Sequence, residues 1–205
     1  MPEYAAVIPA AGLSSRMKAF KPLLDLAGKA MIDHVTDIFE AAGVKRMILV
    51  AGHNAQSLMA HFPKGNVQIV VNERYAQTHM LDSIKLGLSA LEKDYDGVFI
   101  TPGDVPLFSL ETLLTLPRGG HQAVRPVWRG RGGHPVFLSM EAARFVQRYE
   151  GEDGLRGALR QVGLTDLEFN DQGAVMDADT PEDFQILQRM ADQRKTANAP
   201  EVMKC

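Results

Sequence analysis

Residues 5–23 read Ala5-Ala6-Val7-Ile8-Pro9-Ala10-Ala11-Gly12-Leu13-Ser14-Ser15-Arg16-Met17-Lys18-Ala19-Phe20-Lys21-Pro22-Leu23. An apolar run gives way to small residues and then to cations. Such a run, closed by a glycine turn, reads as a buried strand over Ala5–Ala10. Outward from it, Met31, Val35, Ile38, Phe39 and Ala42 recur at about 3.6-residue spacing and predict a helix. Arg46 to Ala51 reads as a second strand, a short helix follows Asn54, and Val67 to Val71 reads as a third strand. Leu81, Ile84, Leu88 and Leu91 give the next helical stripe, and Gly97 to Thr101 the fourth strand. This β-α-β-α order implies parallel strands with helices on both faces. The second half is less regular. Strand-like runs at Ala123–Trp128, Pro135–Leu138 and Ala174–Asp177 alternate with helices, so mixed strand directions are expected there. The expected fold is therefore α/β: a single three-layer Rossmann-like domain with a mixed, mostly parallel sheet, over residues 1–193.

Near the end, Thr180 is a good N-cap, Pro181 suits the first helical position and Asp183 completes the cap. From about Arg194 the chain turns small and polar, and 194–205 is expected to be a flexible tail.

The composition narrows the function. The chain has 205 residues and a net charge of −3. That balance argues against a nucleic-acid partner, which calls for a basic face. No apolar run reaches the roughly 20 residues of a membrane span. The single cysteine, Cys205, leaves no disulfide framework and fits a reducing compartment. With no basic segment or cleavage site before the first strand, a cytoplasmic location is expected.

In a sheet of this type ligands sit at the carboxyl ends of the parallel strands. Three loops there carry unusual chemistry. At Ala10, Ala11 and Gly12 small residues let backbone amides approach an anion. Arg16 and Lys21 add a bidentate and a compact cation to the same segment, which suits a triphosphate. The pattern is neither a P-loop nor the three-glycine dinucleotide fingerprint. Thr101-Pro102-Gly103-Asp104-Val105-Pro106 holds a carboxylate on a stiff turn, either as a turn residue or as a metal ligand. Asp177-Ala178-Asp179 places two carboxylates on one side of an extended segment. Arg129, Arg131 and His134, interleaved with three glycines, read either as a mobile loop closing on an acceptor phosphate or as a solvated basic hairpin. In the closing-loop reading, titration of His134 ties affinity to pH near neutrality. The other five histidines, at 34, 53, 61, 79 and 121, have no metal-ligand spacing.

Taken together, Ala10–Met17 with Lys21-Pro22-Leu23, the 101–106 loop, Arg129–Phe137, Gly151–Arg156 and Asp177–Asp183 resemble the molybdenum-cofactor cytidylyltransferases. These are MobA-like nucleoside triphosphate transferases, related to the guanylyltransferases of the same cofactor. The resemblance runs from Val7 to about Leu187. It implies a nucleotide-diphospho-sugar transferase type of fold and a Mg²⁺-dependent nucleotidyl transfer that releases pyrophosphate. By the resemblance Asp104 is the metal aspartate, Asp179 the second ligand with Asp177 in reserve, and Ser83 lies beside the nucleotide base. CTP is the expected substrate, since the guanylyl relatives carry a second glycine where Ala11 stands. The expected acceptor is molybdopterin-bound molybdenum, with a molybdenum hydroxylase as the partner that receives the product. A sugar or polyol phosphate acceptor, a glycosyltransferase with an Asp-x-Asp site, and a non-enzymatic cofactor carrier are the competing readings.

Overall fold

The computed structural model of the chain describes residues 2–12, 19–63 and 65–198. Its strands in chain order are β1 (Tyr4–Ala10), β2 (Asp25–Leu26), β3 (Lys29–Ala30), β4 (Arg46–Ala51), β5 (Val67–Val71), β6 (Gly97–Ile100), β7 (Ala123–Trp128), β8 (Arg131–Gly132), β9 (Val136–Leu138) and β10 (Leu164–Glu168). The helices are α1 (Met31–Ala41), α2 (Ala55–His61), α3 (Met80–Ser89), α4 (Leu110–Thr115), α5 (Met140–Arg148), α6 (Gly154–Val162) and α7 (Pro181–Asn198). Two 3₁₀ turns, Lys21–Leu23 and Gln172–Val175, complete the set.

The main sheet runs β10-β7-β9-β6-β1-β4-β5, with β8 paired to β7. β1 is central and parallel to both β4 and β6. β5 extends the parallel half beyond β4, and β10 pairs parallel with β7. β9 is antiparallel to both β6 and β7, which supplies the mixed directions expected for the second half. β2 and β3 form a separate antiparallel ribbon.

Alternation along β1 divides the core. Val7 faces Ile84, Leu88, Val146 and Leu159 of the α3, α5 and α6 layer. Ile8 faces Ile32, Val35, Phe39 and Leu113 of the α1 and α4 layer. The two helical layers on a central sheet give the three-layer architecture.

α7 starts as its sequence predicts. Asp183 N donates to Thr180 Oγ1 at 3.2 Å, and Asp183 Oδ2 accepts from Thr180 N at 3.1 Å. This reciprocal pair satisfies donors of the first turn. The helix continues past Arg194 to Asn198. A different outcome holds at Ala174–Asp177. The expected strand is a 3₁₀ turn, Gln172–Val175, followed by irregular chain. β10, whose residues Leu164-Thr165-Asp166-Leu167-Glu168 show little apolar content, is an edge strand not predicted from the pattern.

α3 lies close on the sheet because Gly87 has no side chain. A Cβ there would press into Val7 Cγ1 and come within 2.9 Å of Val50 Cγ2. Alanine gains about 1 kcal/mol of helix propensity over glycine, and overpacking costs about 1–3 kcal/mol. Two β-branched neighbours on central strands have little rotamer freedom with which to yield. Gly87→Ala is therefore expected to lower the urea midpoint despite its better propensity. An unchanged or higher midpoint would show that α3 can lift from the sheet at no cost.

Candidate active site

Backbone contacts bring the expected loops together. Thr101 N donates to Val7 O at 3.3 Å and Gly103 N to Pro9 O at 3.1 Å, so the 101–106 loop hugs the end of β1. Gly103 permits this approach, since a Cβ there would lie 3.2 Å from Ile32 Cδ1 and 3.3 Å from Ala10 Cβ. Ala178 N then donates to Asp104 O at 3.0 Å. Ala178 itself is buried among Leu26, Met31, Leu107 and Leu187. Its burial leaves Asp177 and Asp179, on either side, at the surface of the crevice.

Lys21 joins the two carboxylate segments. It opens a 3₁₀ turn whose Pro22 is buried with it. Its Nζ lies 2.8 Å from Asp179 Oδ1 and 3.3 Å from Asp104 Oδ2. Burial works against the Lys21 charge, but the bond to Asp179 and the charge of Asp104 outweigh it and hold the ammonium above its ordinary value. Partial burial pushes the Asp177 carboxyl above the usual carboxylate range, and the charges of Asp179, Asp104 and Asp183 push it further. Three carboxylates thus share one corner of the crevice, and their field favours a cation.

From this corner a cavity of about 190 Å³ extends along Ala10, Ala11 and Gly12 to Tyr75, Thr78, Met80 and Ser83. Pro102 and Gly103 also line it. Gly52 lets the chain pass closely here, since a Cβ would lie 2.8 Å from Ala11 O and 2.6 Å from Tyr75 Cβ. The far wall is the first turn of α3, capped by Asp82 Oδ2, which accepts from His79 N at 2.8 Å. Arg16, the second cation of the expected phosphate loop, lies outside the described residues, as does Cys205.

The segment 129–134 differs from a mobile closing loop. Arg131 and Gly132 form β8, paired with Trp128 and Val127. Gly133 N donates to Pro126 O at 2.8 Å and His134 N to Ala174 O at 2.7 Å. Gly133 packs on the Ala174 backbone, where a Cβ would clash. The Arg129 guanidinium lies 4.7 Å from the Trp128 ring centre, and Arg131 Nη2 lies 3.5 Å from Val175 O. His134 Nδ1 is buried and has no hydrogen-bond partner among the described residues. Burial pulls its imidazole below the ordinary value, opposed by the backbone at Ile100 and by the charge of Asp104. The expected titration near neutrality is therefore displaced to lower pH, and the ring is neutral at pH 7. Of the three residues, Arg129 and Arg131 carry the charge an incoming phosphate would meet.

Residues 6–167 match the model of the MobA-like NTP transferase domain. The chain belongs to the MobA-like NTP transferase family. It is 30% identical over 183 residues to the molybdenum cofactor cytidylyltransferase of Escherichia coli K12, covering 87% of this chain and 92% of that protein. It superposes on manganese-bound Rv0371c from Mycobacterium tuberculosis H37Rv with a TM-score of 0.72, at 21% identity, covering 91% of this chain and 98% of that one. The 4-diphosphocytidyl-2C-methyl-D-erythritol synthase of Anaerococcus prevotii gives a TM-score of 0.74 at 14% identity, over 93% and 99% of the two chains. The activity class is nucleotidyl transfer of the MobA-like type. Among the described residues no helix is long and apolar enough to cross a membrane.

Two parts of this family member's site had no sequence signal. Asn72, Tyr75 and Thr78 sit in irregular chain between β5 and α3, where spacing says nothing. Asp171 is the other. It is 6% exposed and accepts from Ser109 N and from Thr112 Oγ1, both at 2.7 Å. It thereby ties the chain leading to Asp177 and Asp179 onto the start of α4. Removing an acceptor from buried donors costs about 1–3 kcal/mol. Asp171→Ala is expected to lose stability in that range by calorimetry and to lose turnover as the carboxylates drift. A stable variant with normal turnover would mean that the His134–Ala174, Ala178–Asp104 and Lys21–Asp179 contacts hold the segment without Asp171.

Proposed function

We propose that the chain transfers CMP from CTP to the terminal phosphate of molybdopterin-bound molybdenum cofactor and releases pyrophosphate. The observation that carries this reading is the meeting of Lys21, Asp104 and Asp179 at the mouth of a cavity floored by Ala10, Ala11 and Gly12. The choice of nucleotide and acceptor rests on the likeness to the Escherichia coli cytidylyltransferase over most of both chains. Ala11, which lines the cavity, supports a pyrimidine, because its methyl narrows the space for a base edge. One such group is worth about 1–3 kcal/mol of discrimination, so other parts of the wall contribute.

In the reaction an oxygen of the acceptor phosphate forms a bond to the α-phosphorus. The bond from that phosphorus to the bridging oxygen of the β-phosphate breaks, and pyrophosphate leaves with the electron pair. The attacking phosphate is already ionised, so no general base is needed. Backbone amides at 10–12 hold the phosphates and, with Arg16, Lys21 offsets charge on the α-phosphate and the leaving group. Arg129 and Arg131 receive the acceptor phosphate.

Asp104 and Asp179 fit a divalent cation, since their oxygens already converge on one positive charge, the Lys21 ammonium. Among the described residues no three His, Cys, Asp or Glu side chains form a cage for a metal. Two carboxylates, with phosphate oxygens and water in the other positions, match the way Mg²⁺ is held beside nucleotides. When bound there, the ion would neutralise phosphate charge and orient the reacting oxygens.

The test is product mass and pyrophosphate release with CTP, GTP, ATP and UTP, each with the molybdenum cofactor as acceptor. CTP is expected to give a product heavier by one cytidylyl group. Equal or better turnover with GTP would overturn the base assignment, and a product only with a sugar or polyol phosphate would overturn the acceptor. Asp104→Ala should leave a folded protein with turnover reduced roughly a hundredfold or more, as loss of several kcal/mol of transition-state stabilisation requires. Lys21→Ala should also lower turnover while the preference among triphosphates stays. A Lys21→Ala variant with normal turnover and an altered CTP-to-GTP preference would refute the phosphate role.

A further inference from the structure

Ser83 lies on the cavity wall and is 4% exposed. Behind it is Asn72, also buried, at 7% exposure. The amide of Asn72 can take only one orientation. Arg74 N donates to Asn72 Oδ1 at 3.1 Å, and a backbone N–H requires an acceptor. The Nδ2 group therefore points the other way. It donates to Ser83 Oγ at 3.1 Å and to Thr78 Oγ1 at 2.9 Å. Both of its hydrogens are used.

This direction dictates what each hydroxyl can do. Thr78 Oγ1 accepts from Asn72 and donates to Arg74 O at 3.1 Å, so its hydrogen is held within the network. Ser83 Oγ accepts from Asn72, and among the described residues its hydrogen meets no acceptor. A buried hydroxyl hydrogen facing a cavity is a donor awaiting an acceptor.

We propose that Asn72 is a positioning residue for base recognition: by donating to Ser83 Oγ it turns the Ser83 hydroxyl into a hydrogen-bond donor for a carbonyl oxygen or unprotonated ring nitrogen of the bound pyrimidine. The inference rests on the reading of this cavity as the nucleotide site. It explains why a buried amide with every hydrogen committed stands behind one cavity serine. Cytosine offers two adjacent acceptors, a carbonyl and a ring nitrogen, which fit a lone donor. Asn72 touches no substrate atom in this scheme and acts through Ser83.

The experiment is calorimetric binding of CTP and of ATP, with Mg²⁺ and without acceptor, to the wild type, Ser83→Ala, Asn72→Asp and the double variant. Asn72→Asp keeps size and shape and still accepts from Arg74 N. It replaces the donor by an acceptor, so the Ser83 hydrogen turns away from the cavity. The readout is the ratio of the two dissociation constants, in which any repulsion between the new carboxylate and the shared triphosphate cancels. One lost hydrogen bond is worth roughly a tenfold change. Each single variant is expected to shrink the CTP preference by about that factor, and the double variant no further than Ser83→Ala alone. Independent, multiplying losses, or an Asn72→Asp variant that weakens CTP and ATP by the same factor, would overturn the proposal. If Asn72→Asp fails to fold, Ser83→Ala is compared with Thr78→Val: a loss at 83 and little change at 78 supports the arrangement, and equal losses refute it. Should the wild type bind another triphosphate more tightly than CTP, the assigned function fails. The coupling between positions 72 and 83 is then read with that triphosphate in place of CTP.

Discussion

The Lys21 ammonium stands between Asp104 and Asp179, residues 83 and 158 positions away along the chain. A charge that is mostly out of water needs partners, because its lost hydration is otherwise uncompensated. The requirement runs both ways, since burial and then the repulsion of neighbouring carboxylates push the Asp177 proton affinity up. Three chain segments are thus pinned at one point: the turn Lys21–Leu23, the loop after β6, and the chain entering α7. Around this point the site is arranged. Triphosphate charge and a divalent cation would enter a field in which both signs are already present, so binding exchanges partners and does not bury new isolated charges.

The carboxylates reach that point by a route other than sheet geometry. Asp177 and Asp179 follow a 3₁₀ turn, and their placement depends on partners remote in sequence. Asp171 docks on Ser109 and Thr112, Ala174 O accepts from His134 N, and Ala178 N reaches Asp104 O. Buried backbone groups need partners, and in this segment loops supply most of them. The same contacts turn the glycine-rich stretch 129–134 into a clamp between β7 and the 174–178 chain, which leaves its arginines on the outside.

The legible parts of the fold are those governed by local rules. β1, β4, β5 and β7 carry apolar runs, α1 and α3 carry stripes, and α7 carries a three-residue cap. Each of these signals is complete within one element, so a sequence reading finds it. The 174–177 segment misled because a short apolar run fits a strand or any other buried extended chain. β10 escaped because an edge strand needs few apolar residues. In the site, Lys21 and Asp104 stood out as charges in loops beside apolar runs, while the metal role of Asp104 and the choice of Asp179 over Asp177 came from the family resemblance. Asn72 and Asp171 did not stand out, since a buried polar residue is indistinguishable from a surface one until its partners are placed.

The proposed function divides the chemistry of the cavity between its two ends. One side of the cavity is lined by the small residues Ala10, Ala11 and Gly12 after β1 and by Pro102 and Gly103 after β6. In the proposed function the amides of this side would hold phosphate charge, which carries no information about a base. On that reading selectivity beyond the Ala11 methyl falls to the opposite wall, the first turn of α3 with the chain between β5 and α3. There Asn72, Thr78 and Ser83 fix one another's donor and acceptor directions. Charge at one end and hydrogen-bond direction at the other are separable functions. If the proposed function holds, a change at the α3 end would alter which nucleotide binds while the Lys21 corner would still meet the phosphates.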